Sequence, residues 1–378
     1  MIRLMIAGDL AIKNRTKDLL DAGDCDALFS GLKAIADQFD YRLLNLENPI
    51  VSGEGGEINK IGPHLGCDEK VVDLLHYAQI DGVTLANNHF RDYGDQGVAH
   101  TLRVLDNHGI DHVGGGVNID EASRIFYKKI GEETLAIINC TEHEFSIATP
   151  SSGGANPLNP IQQYYAIQEA RGKADYVVVI THGGVEQYEL PTPRMVETYR
   201  FFIDAGADAV VNHHQHCFSG YETYKGKAIF YGLGNLCFDY PNYRHHKWNK
   251  GFVVRLSLDK QSIGFKLMPY VQSDEKPGVV MLEEKDRGEF EAELNRINAV
   301  IADAKALDEA QKKWISRFGK AYSALLTPYS SRWTSSLFCR GLLPSLTSRQ
   351  KWMSLLNKMQ CESHRDNYIR FMKDKLGL

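Results

Sequence analysis

The chain has 378 residues, a net charge of −5 and 43% hydrophobic residues, enough for a sizeable core and one large domain with a smaller unit beside it. A pI near 6.3 excludes a chain built overall for nucleic acid, and no apolar run reaches the roughly 18 residues of a membrane span. Seven scattered cysteines, Cys339 among them and none in a Cys-x-x-Cys pair, fit a reducing compartment better than a disulfide framework.

The first strand is expected from Met1 to Ala7, running into Gly8-Asp9. It leaves no room for a signal peptide, so the expected location is the cytoplasm. Thr16 to Phe39 is mostly helical, and Tyr41 to Leu46 is a second apolar run ending in Glu47-Asn48-Pro49. Gly53 to Gly66 reads as a surface loop. Helical spacing from Asp68 to Ala78 precedes a short strand, Gly82 to Ala86, that meets Asn87-Asn88-His89, and residues 95–108 return to helical spacing. His112 to Gly116 is another strand end, Leu135 to Asn139 a further strand, and Ser146 to Pro160 a loop long enough for a lid or substrate loop.

After a helix at Ile161 to Arg171, two short β-branched runs stop abruptly at histidine: Tyr176 to His182, and Ala209-Val-Val-Asn-His-His-Gln-His216. Such runs are buried strands, with a helix at 194–205 between them. Gly251 to Met268 looks like paired antiparallel strands, and from about Glu283 the pattern is helical. The alternation predicts an α/β core of residues 1–275 with a helical extension at 276–378. Residues 301–378 hold 14 Lys and Arg against 6 Asp and Glu, a local charge of +8, and three of the four tryptophans: Trp314, Trp333 and Trp352. Such a tail can dock on the acidic core, lie on an anionic membrane or bind an acidic polymer; packing on the core is the simplest expectation.

Five strand ends carry a candidate metal ligand: Asp9, Glu47, Asn88 with His89, His182, and His214 with His216. Each alone also fits a blander role, since Asp or Asn caps helices, Glu47 can pair with a surface cation and a lone histidine is usually hydrogen-bonded. Jointly they point to one edge, because parallel strands gather their C-terminal ends there. Carboxylate, amide oxygen and imidazole suit Mn, Fe, Zn or Mg. A cluster of this size can hold two ions about 3.5–4 Å apart, an arrangement suited to attack on phosphorus or carbonyl centres.

Gly8-Asp9, Asn45-Leu46-Glu47, Asn87-Asn88-His89 with Asp92 and Gly94, Gly114-Gly115-Gly116 with Asn118 and Glu121-Ala122, His182 to Glu186, Gly206-Ala207-Asp208, His214-Gln215-His216 and Gly234-Asn235 form an ordered series. It resembles the CapA family of bacterial capsule and poly-γ-glutamate synthesis proteins, related to the calcineurin-like metallophosphoesterases, over roughly residues 2–270. The resemblance implies a four-layer αββα sandwich with Asp9, Glu47, Asn88, His182, His214 and His216 as ligands of a divalent metal pair. His89 would face a phosphorylated or polyanionic substrate as acid or phosphate contact, and Glu186 would support the site. The chain departs from the broader calcineurin-like pattern at Ala11, usually histidine, and at Glu47, usually aspartate; CapA-type proteins share both changes. Gln215 and Gly183 stand where the narrower family often has proline and tryptophan.

Two readings follow: a metal-dependent hydrolase of phosphoester or related bonds in cell-envelope or exopolymer metabolism, or a non-catalytic binding component that works with capsule-synthesis proteins.

Overall fold

The computed structural model describes residues 1–53, 56–260, 262–323, 333, 334, 337, 340, 342–344 and 348–376; Cys339 lies outside them. Two sheets face each other. In the first, Ile2–Ala11, Tyr41–Leu46, Gly82–Thr84 and Asp111–Val113 run parallel, while Lys250–Leu258, Ile263–Gln272 and Val279–Met281 extend it antiparallel on the other side of Ile2–Ala11. In the second, Glu133–Thr141, Tyr176–His182, Ala209–His213 and Lys227–Phe230 are parallel, with Phe126–Ile130 and Tyr221–Tyr224 as antiparallel edges.

Strands of a parallel sheet covered on both faces read as continuous apolar runs. Leu4 and Ile6 point into the core between the sheets, beside Val178 and Ile229. Met5 and Ala7, on the opposite face, join Leu75 and Leu105 beneath the outer helices Val71–Tyr77 and Gly94–Asn107. The second sheet is covered by Pro160–Arg171 and Pro193–Asp204, whose Ile167 and Phe202 are fully buried. Both helices begin with proline in the first turn behind a polar cap: Asn159 accepts from Ile161 N, and Thr192 Oγ1 from Met195 N at 3.2 Å. Proline there gives up only an amide that has no helical partner. The result is the expected four-layer αββα sandwich.

The first strand departs from its expected end. It continues through Ala11 because Asn235–Phe238 pairs with its last residues after a register shift at Asp9/Leu10. Gly8 makes that approach feasible: a Cβ at this position would stand 2.0 Å from the Gly234 carbonyl oxygen. The edge strand Phe126–Ile130 carries no clear sequence signal, since Lys128 and Lys129 break its apolar alternation.

From Gly288 the described residues are mostly helical, as expected. Phe290, Leu294, Ile297 and Ile301 of Gly288–Ala302 form one apolar stripe that enters the inter-sheet core. Ala304–Ser323 meets Glu362–Leu376 through Ile315, Tyr368 and Phe371, with Gln311 donating to Asn367 at 3.0 Å. Arg349–Gln360 precedes that last helix directly. The described tail helices therefore pack on the core and on one another. Among the described residues no helix is long and apolar enough to cross a membrane.

Candidate metal centre

The strand ends converge at the edge where the two sheets meet. Asp9 is fully buried and heavily engaged: Oδ1 accepts from Asn45 Nδ2 at 2.8 Å and lies 3.2 Å from His213 Nδ1, while Oδ2 accepts from the His214 amide at 3.2 Å. Burial opposes its ionisation, but His213, with His182 and His216 behind it, holds the carboxyl well below the usual carboxylate range. Glu47 is equally buried, yet neither of its carboxylate oxygens has a hydrogen-bond partner. Burial drives its pKa well above the ordinary value, and Asp9, Glu186 and Asp92 add to the rise.

Asp9, Glu47 and His216 form one trio, their ligand atoms all within 4.8 Å of one another. His216 Nδ1 lies 2.9 Å from Asn235 Oδ1, an acceptor, so Nδ1 carries the proton and Nε2 keeps its lone pair toward Glu47 Oε1, 3.6 Å away. Asn88, His182 and His214 form a second trio. His182 Nε2 lies 3.1 Å from Asn88 Oδ1 and 3.1 Å from His214 Nδ1. Burial depresses the pKa of both His182 and His216, and a neutral imidazole is the form that ligates metal. Backbone strain accompanies the second strand end: His214 and His216 adopt φ of 92° and 54°, in the left-handed region, a cost tolerated where side chains must be aimed.

The donor set is oxygen and imidazole nitrogen without thiolate, and it fits a divalent cation. A buried carboxylate with no donor is expensive. Cation binding between Glu47 and the converging lone pairs removes that cost.

His89 lies beside these trios in an arrangement of its own. Its Nδ1 is 2.7 Å from Asp92 Oδ2, and Lys60 Nζ is 2.5 Å from Asp92 Oδ1 and 3.0 Å from the same ring nitrogen. With Nδ1 held by Asp92, Nε2 is the nitrogen left for a ligand. Burial lowers the pKa of His89, partly offset by Asp92. Glu186 reaches solvent within a crowded recess. Burial raises its carboxyl, but His216, His214, His89 and Lys358 outweigh this and leave it below the ordinary value.

Sequence reasoning missed several groups. His213 braces Asp9 from inside the sheet. Lys60 sits in the expected surface loop, yet its side chain is only 3% exposed. Gln215, a departure from the family pattern, donates from Nε2 to Tyr188 O at 2.8 Å and so ties down the loop after His182. Glu144 Oε1 lies 3.8 Å from His214 Nε2, and its pKa is pushed up to about 7 by burial and by Glu186. Because this value exceeds the ordinary 4.5, the group stabilises the metal-free fold below that ordinary value and the contribution is lost as pH rises to about 7. In chelator-treated protein, Glu144→Gln is expected to flatten that loss, by up to about 3 kcal/mol. Urea titrations of both proteins at pH 5 and pH 8 measure it, and an unchanged difference between the two pH values would count against the assignment.

A buried carboxylate–imidazole site at the C-terminal strand edge of an αββα sandwich is the class of site these residues define. The chain belongs to the bacterial capsule synthesis protein family PGA_cap, whose profile matches residues 3–240. It is 30% identical over 246 residues to the capsule biosynthesis protein CapA of Bacillus anthracis, covering 63% of this chain and 60% of that one. The PGA biosynthesis protein CapA of Bacillus subtilis (strain 168) is 32% identical over 235 residues, covering 61% and 62%. The match thus spans less than two thirds of either relative. Among solved structures, a phosphatase from Mycoplasma pneumoniae is similar at a TM-score of 0.44 and 15% identity, over 72% of this chain and 95% of that one. The helices from Gly288 onward lie beyond the family match.

Proposed function

We propose that the chain is a metal-dependent hydrolase that cleaves a phosphoester or related bond in cell-envelope or exopolymer metabolism, with Asp9, Glu47 and His216 holding one cation and Glu47, Asn88, His182 and His214 a second. The observation that carries this reading is the buried, unpartnered Glu47 carboxylate grouped with Asp9 and His216. Mn, Fe, Zn and Mg all suit the donors. A divalent cation held there supplies Lewis acidity to the reacting centre.

The protein's own groups do the rest. His89 Nε2 faces the leaving group and hands it a proton, while Asp92 fixes the ring through Nδ1 and Lys60 fixes Asp92. Burial keeps His89 neutral in the free site, and an arriving phosphoryl anion raises its pKa, so protonation accompanies substrate binding. Glu186 offers a further carboxylate beside the cluster.

The biosynthesis names of the relatives favour a second reading, a binding component of a capsule or poly-γ-glutamate assembly that does not turn over. Protein purified without chelator is expected to contain stoichiometric Mn, Fe or Zn by elemental analysis and to hydrolyse 4-nitrophenyl phosphate or its bis-ester with added Mn²⁺. Bound metal without hydrolysis would favour the binding component, and absence of bound metal would defeat both the ligand set and the mechanism.

A further inference from the structure

The helices Arg349–Gln360 and Glu362–Leu376 lie outside the family match, yet they dock on segments beside the candidate site. Arg349–Gln360 has 12 residues, about 18 Å at 1.5 Å per residue. At its start, Asn59 Oδ1, with the amide oriented to accept, takes the Arg349 guanidinium at 2.5 and 3.2 Å. Asn59 neighbours Lys60, which holds Asp92 and His89. Just past its end, Ser363 Oγ donates to Glu142 Oε1 at 2.5 Å, Cys361 Sγ lies 3.4 Å from Glu142 Oε2, and the His143 amide donates to Glu362 Oε2 at 3.2 Å. Glu142 has room to receive them because residue 183 is glycine: a Cβ there would stand 2.7 Å from Glu142 Cγ. The helix therefore spans from the His89 side of the site to the Glu142–Glu144 segment beside His214.

Near its end this helix presents polar groups toward the site. The Lys358 ammonium favours the ionised form of both Glu144 and Glu186, opposing the rise at Glu144 and adding to the fall at Glu186. The Lys358 ammonium is held by an imidazole, with Nζ 3.0 Å from His364 Nε2. Accepting at Nε2 leaves the proton of neutral His364 on Nδ1. That Nδ1 is buried and has no partner, and the ring senses His214. Two donors, an ammonium and an imidazole N–H, thus stand beside the Glu142–Glu144 segment next to His214, on helices tied to Asn59 at one end and to Glu142 at the other.

We propose that the Arg349–Leu376 helix pair is a wall of the site and that Lys358 and His364 bind a second anionic group of the substrate, a carboxylate or a phosphate next to the group that meets the metals. The proposal rests on the hydrolase reading for the position of the first group. An ammonium paired with a neutral acceptor keeps its charge for an incoming anion, and a buried donor without an acceptor gains most from meeting one.

The test uses the full chain loaded with Mn²⁺ and three probes in calorimetry: inorganic phosphate with one anionic centre, phosphonoacetate with a phosphonate and a carboxylate, and pyrophosphate with two phosphates. Wild type is expected to bind at least one of the two-centred probes more tightly than phosphate, and which one identifies the second group. Lys358→Met should weaken that probe at least tenfold while weakening phosphate far less, with Lys358→Arg restoring most of the difference. Lys351→Met, on an exposed position of the same helix, serves as the control for general loss of charge. Equal weakening of all probes by Lys358→Met and Lys351→Met, or none by either, overturns the proposal. Thermal melts of Lys358→Met check folding, and His364→Phe provides an independent variant with the same expected selectivity loss. If the probe difference depends on Lys358 but no ester is hydrolysed, the wall stands and the hydrolase reading falls. If esters are hydrolysed and Lys358→Met binds both probe types as wild type does, the reverse holds.

Discussion

Glu47→Gln is expected to make the metal-free protein more stable and the metal-treated protein inactive. Glu47 is fully buried, and neither oxygen has a donor. A neutral amide is far cheaper to bury than a carboxylate without partners. In chelator the variant should gain about 1–3 kcal/mol, which raises the melting temperature by several degrees. With Mn²⁺ the order reverses. A ligand present at 100 times its Kd stabilises the fold by about 2.7 kcal/mol; the wild type should show a shift of that order and the variant little of it. Hydrolysis should fall by ~10³-fold or more, because the carboxylate proposed to serve both cations is lost. Melting curves in chelator and in Mn²⁺, with elemental analysis, read all three effects. If Glu47→Gln is less stable in chelator and takes up metal as wild type does, Glu47 is a structural group and the bridging assignment fails.

The parts of the site that could be read in the sequence are those where a strand ends. Tyr176 to His182 and Ala209 to His213 are short β-branched runs, and such runs advertise both their burial and their termini. Asp9, Glu47, Asn88, His182, His214 and His216 are legible as candidates for that reason; the alternation of strands and helices gives the α/β core, and the four-layer sandwich comes from the family resemblance. The unread groups are set by tertiary contacts with no local signature. His213 differs from His214 and His216 only in which way the backbone turns, and the turn is a φ of 92° at the next residue. Lys60 lies in a Gly-rich stretch that reads as solvated, but Asp92, 32 positions away, draws it inside. The continuation of the first strand to Ala11 depends on Asn235–Phe238, and the docking of Ser363 on Glu142 joins residues 221 positions apart. Periodicity reports which face a residue takes; it is silent on which distant segment covers that face.

Asp92→Asn is expected to cost both stability and rate, and a second substitution should separate the two. Asp92 is fully buried, and its carboxylate meets the Lys60 ammonium, His89 Nδ1 and the Leu65 amide, the last donating at 2.8 Å. Removing one partner of a buried ion pair strands the other charge, at about 3–5 kcal/mol. The imidazole also loses the acceptor that sets its tautomer, which in hydrogen-bonded His–carboxylate pairs lowers turnover by ~10²–10⁴-fold. Lys60→Met combined with Asp92→Asn removes both charges and leaves an oxygen for the Leu65 amide, so most of the stability should return. The rate should not, since His89 still lacks an anionic partner to fix Nδ1–H and to stabilise the protonated ring. Denaturant titration gives the stability of each variant, and the pH profile of ester hydrolysis gives the apparent pKa of the acid, expected to fall when Asp92 loses its charge because a carboxylate beside an imidazole favours the protonated form. Should the double variant recover rate together with stability, His89 is not oriented through Asp92, and the proton must reach the leaving group by another route.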